Sequence, residues 1–423
     1  MRDYRIIDWL SKTQPDCHRS DCKGVQLTQQ HHSLSPPGTQ STCRKRKRNM
    51  SEHSAKRQRV GPSEEDEEDV TNGILETPRA NSMLRRGQTT LVSADSQSQT
   101  SGRSSPSKQM DALELSDFKW NRQLSIDNPE IPDELYEFLT EMSSCNSGIG
   151  IISQSLKAEL KERSKTDRSF RTFQDFMFAD PNIRDAIGYT PLIDEVEQIV
   201  NEARECQQYS HPEASWNGSV HFPLLHRAIY GPRRQQKLVG VMNCTTAKLI
   251  KEYLKKNTVP KMVDYTFYID PSADTPAPAH AIMQLRKILP CSVINHTDYR
   301  PLRDRPMAVT VETKRRHVSL EAAELQTGTW HSAHWEFLSR RLEKTGGTFD
   351  KLSFLPGILV QGHDWSFVVT TREEGKTVVW LEQKFGYTSD MIGVYKAVWG
   401  VQRLAKWVDD VYWPWYKMNV LVV

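Results

Sequence analysis

A carboxylate and an ammonium sit two residues apart at the end of the apolar run "RPMAVTVETKRRHVSL", Arg305 to Leu320. Met307, Val309 and Val311 alternate as in a half-buried strand, which puts Thr310, Glu312 and Lys314 together on the opposite face. Two ionic groups at the end of a buried strand are costly unless they are paired or put to use. Other candidates fall at similar places. Asp264 lies near the start of the β-like run "MVDYTFYI", Met262 to Ile269. Glu213 precedes Trp216 by three residues and Val220 by seven, on the apolar stripe of its helix, where an acid is unexpected. Gln326 and Trp330 are four apart and share one helix face. Asp270 competes with Asp264, since the even spacing lets both face one way. Pro271 and the Pro/Ala-rich stretch after it mark Asp270 as a strand exit instead.

The elements that must carry these residues read as mixed α/β. Pro132 to Ser143, Gln154 to Ser164 and Pro191 to Tyr209 have helical spacing and form an expected helical region over 113–210. From 211 to 423 helices and strands alternate around a small central sheet. Pro212 to His221 starts as a helix that Pro223 kinks or ends. Met262 to Ile269, Pro306 to Thr313, Gly357 to Gln361, Trp365 to Thr371 and Thr377 to Gln383 read as strands. Ala279 to Ile288 is a short helix. Ser319 caps a long one that runs to about Lys344 and stops at Gly346-Gly347. A last, aromatic-rich helix runs from Ser389 to Tyr412.

Residues 1–112 have a different character. No aromatic residue occurs from Ser11 to Asp117, so this stretch cannot bury enough apolar surface to offset its ordering entropy, and disorder is expected. Within it, Arg44, Lys45, Arg46, Lys47 and Arg48, then Lys56, Arg57 and Arg59, form two basic clusters with a short spacer. They resemble a bipartite nuclear import signal and imply a nuclear location and the import machinery as a partner. The acidic block Glu64 to Asp69 reads as solvated chain. Cys17, Cys22, His31, His32 and Cys43 have ligand types, but only Val25, Leu27 and Leu34 and no aromatic residue lie among them to pack under zinc, and no zinc site is expected. Seven scattered cysteines suit a reducing compartment. No run approaches the ~20 apolar residues of a membrane helix. The net charge of +3 gives no global basic field, so any case for nucleic acid must be local.

"VDY" on one strand, an apolar strand ending "ETK", and a helix with Gln-x-x-x-Trp together resemble the PD-(D/E)XK nuclease superfamily. More narrowly, "SVINHTDYRPLRDRPMAVTVETK" followed by "EAAELQTGTWHSAHWEFL" is similar to fungal proteins described as PD-(D/E)XK nuclease-like, over roughly Glu205 to the C-terminus. The resemblance implies a restriction-endonuclease-like core and metal-dependent hydrolysis of phosphodiesters, with DNA as the expected substrate. It implies that Asp264, Glu312 and the carbonyl of Thr313 hold Mg²⁺, with Mn²⁺ as the alternative ion. Lys314 then activates water or offsets developing charge. Glu213 matches the superfamily's first-helix acid, which stands behind the metal or binds a second one, and Gln326 the helix glutamine that contacts the site in its exonuclease-like branches. Trp330 stands where those branches carry tyrosine. Arg300, Arg303 and Arg305 are candidate phosphate contacts. His363 and Asp364 receive no role. The rival expectation is the same fold without catalysis, kept as a nuclear binding platform for nucleic acid or protein.

Overall fold

In the computed structural model, which describes residues 105–115, 117–233, 236–256 and 258–423, the first element is α1 (Pro106–Glu114), capped by the Ser105 hydroxyl. Next come β1 (Phe118–Gln123) and α2 (Asp133–Asn146). Two short strands, β2 (Ile152–Ser153) and β3 (Phe178–Ala179), pair with each other on either side of α3 (Lys157–Arg163). The amphipathic helix α4 (Ile193–Gln208) buries Ile193, Val196, Ile199, Val200 and Ala203. The helical stretch 213–230, α5, continues past Pro223. It widens into a π turn over Asn217–His221, so the proline falls in the first turn of the following α segment, Phe222–Tyr230, where its missing N–H costs little.

The remaining elements are β4 (Val239–Asn243), β5 (Tyr265–Ile269), α6 (Pro276–Arg286), β6 (Met307–Lys314), α7 (Glu321–Thr345), β7 (Leu355–Gln361), β8 (Asp364–Glu373), β9 (Lys376–Tyr387) and α8 (Met391–Trp407). Gly346, left-handed at φ 73°, ends α7. Seven strands form one sheet in the order β1-β9-β8-β7-β6-β5-β4. Pairing is antiparallel except for β6 with β7, which α7 connects, and β1 with β9. The sheet is larger than the sequence suggests. β4 shows no alternation, and β1 comes from the stretch read as helical.

The face of β6 that carries Glu312 is the face covered by α7. Thr310, two residues before Glu312, bonds through its hydroxyl to His331 Nε2 at 2.7 Å, and His331 Nδ1 meets the Thr370 hydroxyl of β8 at 3.0 Å. Trp330 and Trp335 are fully buried on the same helix. No helix among the described residues is long and apolar enough to cross a membrane. The four described cysteines, Cys145, Cys206, Cys244 and Cys291, are all unpaired.

Candidate active site

The antiparallel register of β5 and β6 sets Tyr265 opposite Val311, so Asp264, one residue before β5, stands beside Glu312. The Asp264 backbone extends the ladder on both sides. Its N–H donates to the Val311 carbonyl at 3.1 Å, and its carbonyl accepts the Cys244 N–H at 2.8 Å. Its side chain is fixed as firmly. Oδ2 accepts the Thr313 N–H at 2.8 Å and the Thr313 hydroxyl at 2.7 Å. Burial raises the Asp264 carboxyl above its usual range, while the two Thr313 bonds and the Lys314 charge pull the other way.

Glu312 is only 2% exposed. Its Oε1 accepts from Lys314 Nζ at 2.6 Å, and its Oε2 is buried with no hydrogen-bond partner. Burial pushes its carboxyl well above the ordinary range, and the Asp264 and Glu213 charges push further. Burial disfavours the charge on Lys314, yet Glu312, Glu213 and Asp264 outweigh it and hold the amine as an ammonium. Glu213 enters from the first turn of α5, where its Oε2 accepts the Arg315 N–H at 3.3 Å. The Tyr265 hydroxyl, bonded to the Asn217 carbonyl at 3.2 Å, and the Phe222 ring stacked on Tyr265 hold α5 against β5. The Glu312, Glu213 and Asp264 charges therefore all act on the one Lys314 ammonium.

The donor set fits a hard divalent cation. An unpartnered buried carboxylate oxygen on Glu312 lies beside Asp264, whose Oδ1 receives no hydrogen bond from the described residues. All donors are oxygen, as such ions prefer. Among the described residues no three His, Cys, Asp or Glu side chains converge as a metal cluster.

Other expectations are redirected. Gln326 donates from Nε2 to the Met262 carbonyl at 3.1 Å, so it ties α7 to the segment that leads into Asp264 instead of bonding the carboxylates. Trp330 packs edge-on against His296 in the core at 5.0 Å. Asp270 accepts the Ser272 N–H at 3.1 Å and pairs with Arg305 at 3.6 Å, a turn residue at the far end of β5. Arg300, Arg303 and Arg305 are not brought to the carboxylates. They lie beyond the opposite end of β6, and the seven residues from Arg305 to Glu312 span roughly 23 Å at about 3.3 Å each. Arg303 lies 3.8 Å from Asp304, and Arg305 covers the Tyr268 ring. The basic residues at the correct end are Arg315 and Arg316, both exposed and directly after Lys314. Their signal was the "KRR" run itself. Also missed is Cys244, fully buried, its thiol pushed well up by burial and by the Asp264 and Glu312 charges. His363 packs edge-on against Trp216 at 5.0 Å and bonds the Thr388 hydroxyl, a structural role. Asp364 meets Lys384 at 3.3 Å. The basic clusters at 44–48 and 56–59 and the Cys17 to Cys43 group lie outside the described residues.

No curated protein and no solved structure matches the chain. A family model described as the PD-(D/E)XK nuclease superfamily matches residues 159–413, taking in most of α3 and all of α4 as well as the strands that carry Asp264, Glu312 and Lys314. Since that match spans more than half of its length, the chain belongs to the PD-(D/E)XK nuclease superfamily.

Proposed function

We propose that the protein is a Mg²⁺-dependent nuclease that hydrolyses DNA phosphodiesters, with Asp264, Glu312 and the Thr313 carbonyl as metal ligands and Glu213 close by. Superfamily membership supports the class of reaction, and nucleases of this superfamily generally use divalent metals. The observation that carries the finer reading is the unpartnered Glu312 Oε2, buried beside Asp264. When bound, the divalent ion supplies Lewis-acid polarisation of the phosphate and makes water a better nucleophile. Asp264 and Glu312 provide a preorganised pair of oxygens, because their backbones are locked in one sheet. Lys314, held as an ammonium, stabilises charge that develops on the phosphate and orients water by donating hydrogen bonds. Gln326 acts through the Met262 carbonyl to set the approach to Asp264.

The test is cleavage of labelled DNA by the full chain with and without Mg²⁺. Lys314→Ala should abolish Mg²⁺-dependent cleavage, a loss of at least about a hundredfold, while circular dichroism stays native. Cleavage at the original rate would remove Lys314 from the mechanism. One observation favours the rival reading, a fold kept as a binding platform without turnover: no three metal-ligating side chains converge among the described residues. Calorimetric Mg²⁺ binding without cleavage of any DNA form would support it. The two basic clusters at 44–48 and 56–59 further suggest nuclear import. Replacing Arg46, Lys47, Lys56 and Arg57 with Ala should shift a fluorescent fusion of the full chain from nucleus to cytoplasm, and retained nuclear signal would reject that address.

A further inference from the structure

We infer that Arg315 and Arg316 form a phosphate-binding pair that grips the nucleic-acid backbone next to the bond being cleaved. The inference rests on the nuclease reading above and adds the residues that hold the substrate strand. Both side chains are exposed, and neither guanidinium makes an ion pair among the described residues. The Glu213 carboxylate takes the Arg315 backbone N–H and not its guanidinium.

The backbone beneath them is held firmly. The Lys314 carbonyl accepts the Gly362 N–H at 2.9 Å, and Gln361 Nε2 donates to the Val318 carbonyl. Gly362 sits at φ 56°, and a Cβ there would lie 3.2 Å from the Arg316 Cβ, so the β7–β8 turn packs directly under Arg316. The Gly362 carbonyl meets His221 Nε2 at 2.9 Å, which links this turn to α5. A loop pinned from β7 and α5, with unpaired guanidinium groups turned outward, loses little conformational entropy when an anion binds. The guanidinium fork matches phosphate oxygens in pairs. Consecutive Cα atoms are ~3.8 Å apart, so both arginines start within about 8 Å of the Lys314 Cα. They are placed to reach phosphates flanking the one at the carboxylates.

The measurement is binding of the full chain to fluorescent single-stranded and duplex DNA, and to RNA, in EDTA across a salt series. Arg315→Gln/Arg316→Gln should lower the slope of log Kd against log salt by about 2 and weaken binding at least tenfold on every substrate form. Arg300→Gln/Arg303→Gln should leave the slope unchanged. Calorimetric Mg²⁺ affinity should match wild type in both variants, which shows that the carboxylates are undisturbed. An unchanged slope in Arg315→Gln/Arg316→Gln overturns the pair, as does a wild-type chain that binds none of the three nucleic acids. Because binding is read without metal, absence of cleavage would count against the nuclease reading alone.

Discussion

Thr313 decides how Asp264 presents itself. Both of its donors go to one oxygen, Oδ2, and Thr313 is fully buried, so the carboxylate has a single rotamer available. Thr313→Val keeps the shape and the backbone N–H but removes the hydroxyl. The expected result is a five- to tenfold weaker Mg²⁺ affinity by calorimetry, roughly 1 kcal/mol, with Thr313→Ser restoring most of it. Equal affinity in the valine variant would make the hydroxyl incidental. Cys244 illustrates the reverse case. It lies close enough to feel both carboxylates, yet burial and those charges keep its thiol protonated, so it adds no thiolate to an oxygen site.

At the scale of elements, the candidate site was the more legible part, because its strands announce themselves through alternation. Met307, Val309 and Val311 are all buried, and Glu312 and Lys314 fall on the shared face as the period of two requires. The long helix and its glycine stop appear within two residues of their expected bounds. What failed to show has physical causes. β1 alternates only through Phe118 and Trp120, whose rings stack at 4.9 Å, and its partner β9 lies some 260 residues away, a pairing no local pattern records. β4 contains Gly240, where a Cβ would lie 2.4 Å from the Tyr268 ring, so close packing has replaced the β-branched signal. Pro223 reads as a helix breaker, and the π turn before it lets α5 run on. Arg300, Arg303 and Arg305 fall away from the carboxylates because the loop from Asp270 to Arg305 returns to the far end of β6, and direction along a strand is invisible in composition.

For the whole molecule, buried titratable groups set a pH window. Burial holds His221 down at about 4, His331 and His334 at about 3, and His296 well below its usual range. Each must stay neutral to remain folded, while the unfolded chain takes up protons near pH 6.5. Their stability is therefore present above about 6.5 and is lost as pH falls toward 4, by about 1 kcal/mol per pH unit for each histidine. Asp264 and Glu312 have raised values and the opposite sign: they favour the fold at low pH and oppose it as pH rises. The lowered histidines, His363 among them, outnumber the raised acids Asp264, Glu312 and Asp409, so Tm should fall between pH 7 and pH 5. Mg²⁺ should raise Tm more at pH 7.5 than at pH 5, where protons compete for the same oxygens. Differential scanning calorimetry checks both trends, and a Tm independent of pH would contradict the histidine assignment.

The outer strand β1 is contributed by residues 118–123, upstream of the span 159–413 that the superfamily match defines. A polypeptide trimmed to that span would bare the outer rim of β9, leaving its amide and carbonyl groups open to a neighbouring chain. Residues upstream of the matched span thus shield the rim of the very sheet that carries the candidate site.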